Sequence, residues 1–451
     1  MNLSLPDCRI LLINVSEPRG ERVYREYPLG LGFIGTVLHE AAASVEILDL
    51  ALDPRSLATV LATFRPTMVG CSFLSTSWPL AQRVLTELHT LFAGPIIAGG
   101  IHTTLFPEEV LRAGFTAVIC GEGDRTIVAL AQALHTGIPT LNRIPGVAFL
   151  DAGQLAYGPP ATPVLDLDAL PWVNRDLYAL SHYHHHSVMT SRGCPYHCKF
   201  CCNWGVGVKQ CRSRSPANVV AELGMLVQRY QARVIYFADD LLFFTKQRRL
   251  EFCHLLEAAQ LDIEWVAQLR VDSVDRTLLA AMRRAGCTKI CFGVEAGSQA
   301  ILARSGKHTT VAQIRHAIQS AHAVGMRTKT WWILGLPGTY AEQMESLTLL
   351  TDLMPNEVSL HALIPLPGST YWNQSASHGL HILDRNDFAS LAYHAVPLNV
   401  QMDYLSREEL LDLFSHFRTV LRGIGYQTTD EATEQSRLVL ATPFEQRGFR
   451  I

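Results

Sequence analysis

Apolar residues along the first part of the chain follow two alternating rhythms. Short unbroken runs, such as Ile10-Leu11-Leu12-Ile13, suit parallel strands buried on both faces. Longer stretches with apolar positions three or four apart suit helices. The pattern predicts strands at 10–13, 45–50, 67–74, 95–98 and 117–120, and helices at 30–42, 54–64, 79–92, 107–113 and 124–135. Repeated strand–helix units of this length predict an α/β fold with a doubly wound parallel sheet. Ligands of such sheets sit beyond the carboxyl ends of the strands, here the loops 16–29, 72–78, 99–106 and 121–125.

The rhythm then breaks. A small hairpin is predicted near 147–157, and Pro159, Pro160, Pro163 and Pro171 interrupt anything longer. His182, His184, His185 and His186 read as a polar segment entering a strand, since no acidic or cysteine ligand follows at helical spacing. From 186 the alternation resumes. Strands are predicted at 187–190, 234–238, 263–269, 289–294, 328–334 and 358–364, with helices between them. Six such units predict a partial (β/α)6 barrel with its chemistry at the carboxyl ends of the strands. An amphipathic helix at 407–421 and a polar tail follow. The predicted boundaries are 1–144, 145–185 as a connector, 186–380, and 381–451 as a C-terminal helical segment.

Composition narrows the classes. With 38 Lys and Arg against 41 Asp and Glu, the net charge is −3, which argues against a general nucleic-acid binder. Hydrophobic residues at 48% and charged residues at 18% exclude a disordered chain. No apolar run approaches the ~20 residues that span a bilayer. The first residues lack the apolar region of a signal peptide. The expected location is the cytoplasm, with no membrane partner.

Eleven cysteines are an odd count, and Cys71, Cys120 and Cys291 lie in apolar, strand-like runs, so a disulfide framework is not expected. Cys194, Cys198 and Cys201 differ. They form Cys-x3-Cys-x2-Cys in a loop after the first strand of the second half. Clustered thiolates suit zinc or an iron–sulfur cluster. Zinc would want a fourth ligand and a paired spacing; Cys211 is a possible fourth ligand, but nothing nearby forms the pair. Three thiolates on a cubane would leave one iron open to an external chelating ligand.

The cysteine spacing, with Phe200 just before the third cysteine, resembles the signature of radical S-adenosylmethionine (SAM) enzymes. The resemblance implies a [4Fe–4S] cluster on Cys194, Cys198 and Cys201, SAM on the open iron, and an external one-electron donor of flavodoxin or ferredoxin type. It also implies roles at successive strand ends. Asp239 and Asp240 occupy the place of the segment that receives the SAM amino group. Gln268 and Arg270 end the third strand, where Arg270 would pair with the SAM carboxylate. Glu295 ends the fourth, placed for a ribose hydroxyl or the amino group. Leu334 ends the fifth, in the adenine-binding segment.

In the first half, Gly99-Gly100-Ile101-His102, Gly121-Glu122-Gly123-Asp124 and Pro28-Leu29-Gly30-Leu31-Gly32 resemble the cobalamin-binding domain that precedes many radical SAM domains. The usual Asp-x-His-x-x-Gly loop, whose His ligates cobalt, is missing. Residues 16–28 contain no His. Cobalamin bound without a protein ligand and a domain that has lost cobalamin both remain open. Two activities are implied. One is cobalamin-dependent methyl transfer in natural-product pathways. The other is radical dehydration of an aminoglycoside precursor diol such as paromamine. The missing His and the acidic or hydroxylic candidates near the expected pocket favour the second, with a cationic amino sugar as substrate. Candidates for its acid and base are His361, Glu357, Tyr236 and His102.

Overall fold

The structure is a computed structural model, and it describes residues 4–17, 27–137, 141–183, 185–206, 210–391, 399–428 and 437–440. The chain divides into two compact units that meet in sequence near residue 184.

The first unit is built on β1 (Arg9–Asn14), β2 (Ser44–Asp49), β3 (Met68–Ser72), β4 (Ile96–Gly99) and β5 (Ala117–Ile119), all parallel, in the order β2-β1-β3-β4-β5. Strand order reverses between β1 and β3, which puts the ligand-binding switch point at their carboxyl ends. Ile10, Leu11, Leu12 and Ile13 are buried, as a strand covered on both faces requires. The hairpin β6 (Val147–Asp151) and β7 (Gln154–Tyr157) is not a connector. Ala148 pairs with Val118, so β6 extends this sheet antiparallel and β7 makes it seven-stranded. The sheet thus runs past the expected boundary at 144, because the buried face of β6 completes the cover of β5.

The second unit begins with β8 (His186–Val188). The two-residue strands β9 (Ser191–Arg192) and β10 (Arg212–Ser213) pair with each other antiparallel. Then come β11 (Val234–Phe237), β12 (Glu264–Arg270), β13 (Cys287–Glu295), β14 (Arg327–Leu334) and β15 (Glu357–Ala362). These and β8 form six parallel strands in sequence order, an open partial barrel. Helices start where side chains cap them: Ser215, Thr245, Asp275, Thr310 and Thr339 each accept a bond from the third backbone N–H beyond.

The C-terminal part is not a separate segment. After the small pair β16 (Leu380–Ile382) and β17 (Val400–Met402), the helix Arg407–Gly423 buries Leu410, Leu413, Phe414, Phe417 and Leu421 in the barrel's own core. The expected polar tail supplies β18 (Tyr426–Thr428) and β19 (Arg437–Leu440), and β19 pairs antiparallel with β15. Residue 184 of the histidine run lies outside the described residues.

Candidate active site

Residues 193–206 follow β9, residues 210–211 lead into its partner β10, and Cys194, Cys198, Cys201, Cys202 and Cys211 all lie between the two strands. Gly193 enters the loop with φ +85°, a conformation that favours glycine. A turn follows in which Cys201 N–H donates to the Cys198 carbonyl at 3.0 Å. The three motif thiols are free and half-buried. Burial raises the thiol of Cys194, and pushes that of Cys201 up to about 12. Such thiols lose their protons when a metal takes them. Arg270 brings a cation to the loop, with Nη1 3.8 Å from Cys198 Sγ. Among the described residues, no three His, Cys, Asp or Glu side chains gather as a single metal ion would need. Mononuclear zinc draws its sulfurs to about 2.3 Å from one centre. A cubane instead takes one thiolate at each of several irons. Three cysteines at this spacing fit a cubane held by three thiolates.

The loop is braced from three sides. Lys199 N–H donates to Ser305 O at 2.9 Å, and Tyr371 N–H donates to Lys199 O at 3.0 Å. A Cβ on Gly306 would sit 3.2 Å from His197 O, so the 305–307 segment lies directly on the loop. The third brace is Asp239. Its Oδ1 accepts from Thr190 N, Ser191 N and Ser191 Oγ at 2.7, 2.6 and 3.2 Å. Asp239 is therefore a buried latch between β11 and the loop's entry, not the open carboxylate expected for the SAM amino group. Its burial pushes its pKa up to about 7. Asp240 is the exposed carboxylate of the pair, and its charge is felt at Cys194 and Cys201.

Arg270 and Glu295 both stand at strand ends, and both come with partners of their own. Arg270 donates from Nε and Nη2 to Asp272 at 3.0 and 2.9 Å and from Nη2 to Lys307 O at 2.7 Å. The backbone at Glu295 has φ +70° beside a bulge in the β13–β14 pairing. Its Oε1 accepts from Lys307 Nζ at 2.9 Å. A Cβ on Gly293 would lie 2.5 Å from that oxygen, so the pair needs glycine beneath it. Phe200 is half-buried, 5.9 Å from Lys307 Nζ at its ring centre.

Strand alternation sorts the rest. Tyr236, Gln268, Lys329, Trp331, Ser359 and His361 share the face of the sheet turned away from the helix-packed core. Gln268 Nε2 donates to Tyr236 Oη, and the His185 ring lies 5.5 Å from that of Tyr236. Burial, then the charge of Lys329, lowers His361 to about 4, so its imidazole is neutral at pH 7. Lys329 Nζ is 5.6 Å from the Trp331 ring centre. Leu334 packs into the opposite, outer core, and Ile333, opposite His361, takes the inner position.

Two candidates fall away. Glu357 begins β15, at the amino end of the barrel, and is fully buried between Lys289 and Arg327 at 3.1 and 3.2 Å. That ion cluster is structural. His102 belongs to the first unit, where it is wholly buried among Phe73, Trp78 and Phe106. Its Nδ1 is 3.2 Å from Ser75 Oγ, and burial lowers its pKa to about 3. The acids expected to attract a cationic sugar are thus mostly neutralised inside the protein. Lys307, Lys289, Lys329 and Trp331 were not singled out from sequence. A lysine or tryptophan in a strand or turn carries no spacing signal of its own.

The first unit was tested for cobalamin at its strand ends. A Cβ added to Gly99, at the end of β4, or to Gly30, at the start of the helix after the first loop, would meet nothing within 4 Å. Neither has a positive φ to require glycine. The backbone at these two positions is open to the approach of a bulky ligand, as cobalamin would require. No helix among the described residues is long and apolar enough to cross a membrane.

Comparison with known proteins agrees with this geometry. Residues 19–131 match the B12 binding domain, and residues 188–350 match the Radical SAM superfamily. An uncharacterised methyltransferase of Pyrococcus horikoshii is 29% identical over 78% of this chain and 79% of its own length. The anaerobic magnesium-protoporphyrin IX monomethyl ester cyclase of Rubrivivax gelatinosus is 28% identical over 83% of this chain and 69% of its own. The solved radical SAM methyltransferase TsrM from Kitasatospora setae, with tryptophan substrate and a SAM analogue bound, shares the fold with a TM-score of 0.74 at 17% identity, over 90% of this chain and 88% of that one. These relatives are methyltransferases and a cyclase, and they turn the expectation away from a dehydratase. A B12-binding domain in front of a partial barrel that matches the Radical SAM superfamily supports a radical SAM enzyme, and with it a [4Fe–4S] cluster and SAM as cofactors.

Proposed function

We propose that this enzyme methylates a carbon of a small polar metabolite with the help of cobalamin. What carries the reading is the B12-binding match over 19–131, with Gly99 at the end of β4 and Gly30 at the start of the first helix leaving the backbone open at the ligand-binding end of the sheet. The names of the relatives point the same way. Cys194, Cys198 and Cys201 would hold the cluster, which would supply the electron for reductive cleavage of SAM, and bound cobalamin would supply the methyl group. The protein's own residues orient the reactants. Asp240 and Glu295 take the ammonium or ribose of SAM, and Arg270 its carboxylate. Tyr236, Gln268, Ser359 and neutral His361 hydrogen-bond the substrate, and Trp331 gives it an apolar wall. An external one-electron donor completes the system.

A second reading has its own support: residues 15–28, which follow β1, contain no His to ligate cobalt. In it, a hydrogen atom leaves a carbinol carbon, water leaves its neighbour, and the donor returns one electron with one proton. A vicinal diol of a paromamine-like amino sugar suits that chemistry. Here His361 and Tyr236 would shuttle the protons.

One experiment separates the two. Cluster-loaded protein, SAM and a reductant are supplied with candidate substrates, with and without methylcobalamin, and the products are weighed. A product heavier by one methylene, formed only with cobalamin, supports methyl transfer. A product lighter by one water, formed without it, rejects methyl transfer for dehydration.

A further inference from the structure

One short segment touches every part of the SAM-facing site. Ser305 O accepts from Lys199 N–H at 2.9 Å, which ties the segment to the cysteine loop. Gly306, with φ +68°, lies against His197 O, where a larger residue would be crowded. Lys307 O accepts from Arg270 Nη2 at 2.7 Å, and Lys307 Nζ donates to Glu295 Oε1 at 2.9 Å. The Lys307 side chain is about as buried as the core, at 6% exposure, and its ammonium sits 5.9 Å from the Phe200 ring centre. Two strand ends and the cysteine loop are thus joined through three consecutive residues.

We propose that Lys307 is a positioning residue for SAM. It holds the Glu295 carboxylate by one oxygen, so that the other faces the ligand, and its own carbonyl sets the plane of Arg270. The proposal rests on the reading that Arg270 and Glu295 hold SAM. The physical case is that among the described residues this buried carboxylate, on a backbone with φ +70°, is held by Lys307. Without the ammonium, Glu295 would lose its fixed orientation, since a buried charge without its partner is costly. A displaced Glu295 no longer meets a cationic ligand. Gly293 is part of the device, because a Cβ there would strike Glu295 Oε1 at 2.5 Å and Lys307 Nζ at 3.0 Å.

The test uses full-length, cluster-loaded protein and SAM itself, read by calorimetric affinity and by the change SAM causes in the electron paramagnetic resonance of the reduced cluster. Arg270→Ala and Glu295→Gln are measured first, and each should bind SAM at least tenfold more weakly, as loss of a charged hydrogen bond implies. If both bind normally, the underlying reading fails and the proposal with it. Given that loss, Lys307→Met should keep its iron content, weaken SAM about tenfold and blunt the spectral change, while Lys307→Arg restores both. Gly293→Ala should imitate Lys307→Met with the lysine still present. The double variant Lys307→Met/Glu295→Gln should be no weaker than Glu295→Gln alone, because both act through one carboxylate. Normal SAM binding by Lys307→Met, or losses that add in full, would overturn the positioning role. Should Lys307→Met fail to fold, the Arg and Gly293→Ala variants decide the matter, since normal SAM binding by Gly293→Ala overturns it as well.

Discussion

Arg270 lies flat on the ring of Tyr196, its guanidinium carbon 3.6 Å from the ring centre. The ring belongs to the cysteine loop and the arginine to the end of β12, so the stack fixes one against the other. Asp272 holds the far edge of the guanidinium through two hydrogen bonds. The planar fork suits this site in a way that a lysine ammonium does not. Arg270→Lys should therefore behave nearly as badly as Arg270→Ala, with SAM affinity reduced by about 1.5–3 kcal/mol in each. Titration calorimetry on cluster-loaded protein checks this, and a fully functional Arg270→Lys would show that charge alone matters.

Cys194, Cys198 and Cys201 should be the cluster ligands, and Cys202 and Cys211 should not. All five lie between β9 and β10, yet only these three have the Cys-x3-Cys-x2-Cys spacing. Replacing any of the three by Ala should abolish the broad iron–sulfur absorbance and substrate-free cleavage of SAM to 5′-deoxyadenosine. Cys202→Ala and Cys211→Ala should retain both. Loss of the cluster in either of these would move the ligand assignment.

The strands and the cysteine loop were legible because each carries a local signal: unbroken apolar runs for buried parallel strands, and fixed spacing for the thiols. Partners distant in sequence were not legible. Glu357 looked like a candidate acid until Lys289, 68 residues away, proved to be its counter-ion. Asp239 looked like an open carboxylate because nothing in its neighbourhood reveals that Thr190 and Ser191 turn their N–H groups on it. The hairpin β6–β7 was recognised as a hairpin, but its membership of the first sheet depends on a pairing with Val118 that short-range pattern does not encode.

The Glu357 cluster yields a stability prediction that separates it from the site. Glu357→Gln removes the carboxylate charge that the buried Lys289 ammonium meets at 3.1 Å, which should cost about 3–5 kcal/mol, while removing both charges with apolar replacements should cost far less. Denaturant unfolding measures the difference. The surviving folded Glu357→Gln protein should bind SAM as the unmodified protein does, and a specific loss of SAM binding or turnover would return Glu357 to the candidate residues.

His102 gives the first unit a dependence on pH. Its folded pKa is near 3 against an ordinary 6.5, because the aromatic box excludes water from the imidazolium. Between these values the unfolded chain carries the proton and the folded chain does not, so acid favours unfolding. The stabilising contribution is complete above about pH 6.5 and is lost as pH falls from there toward 3, at up to about 1.4 kcal/mol per pH unit. Protonated carboxylates lower stability over the same range, so the comparison must be with a variant that cannot titrate at this position. His102→Gln keeps a polar atom within reach of Ser75 and has no pKa in the window. It should be less stable than the unmodified protein at pH 7, because the ring stacked on Trp78 is lost, and that deficit should shrink steadily down to pH 4. Thermal melts across the range test this. Parallel curves would mean that His102 is protonated in the folded protein and that the box is open to water. Turnover at pH 7 by the folded variant should be unchanged, since a neutral, wholly buried imidazole in the first unit has no proton to give to a substrate.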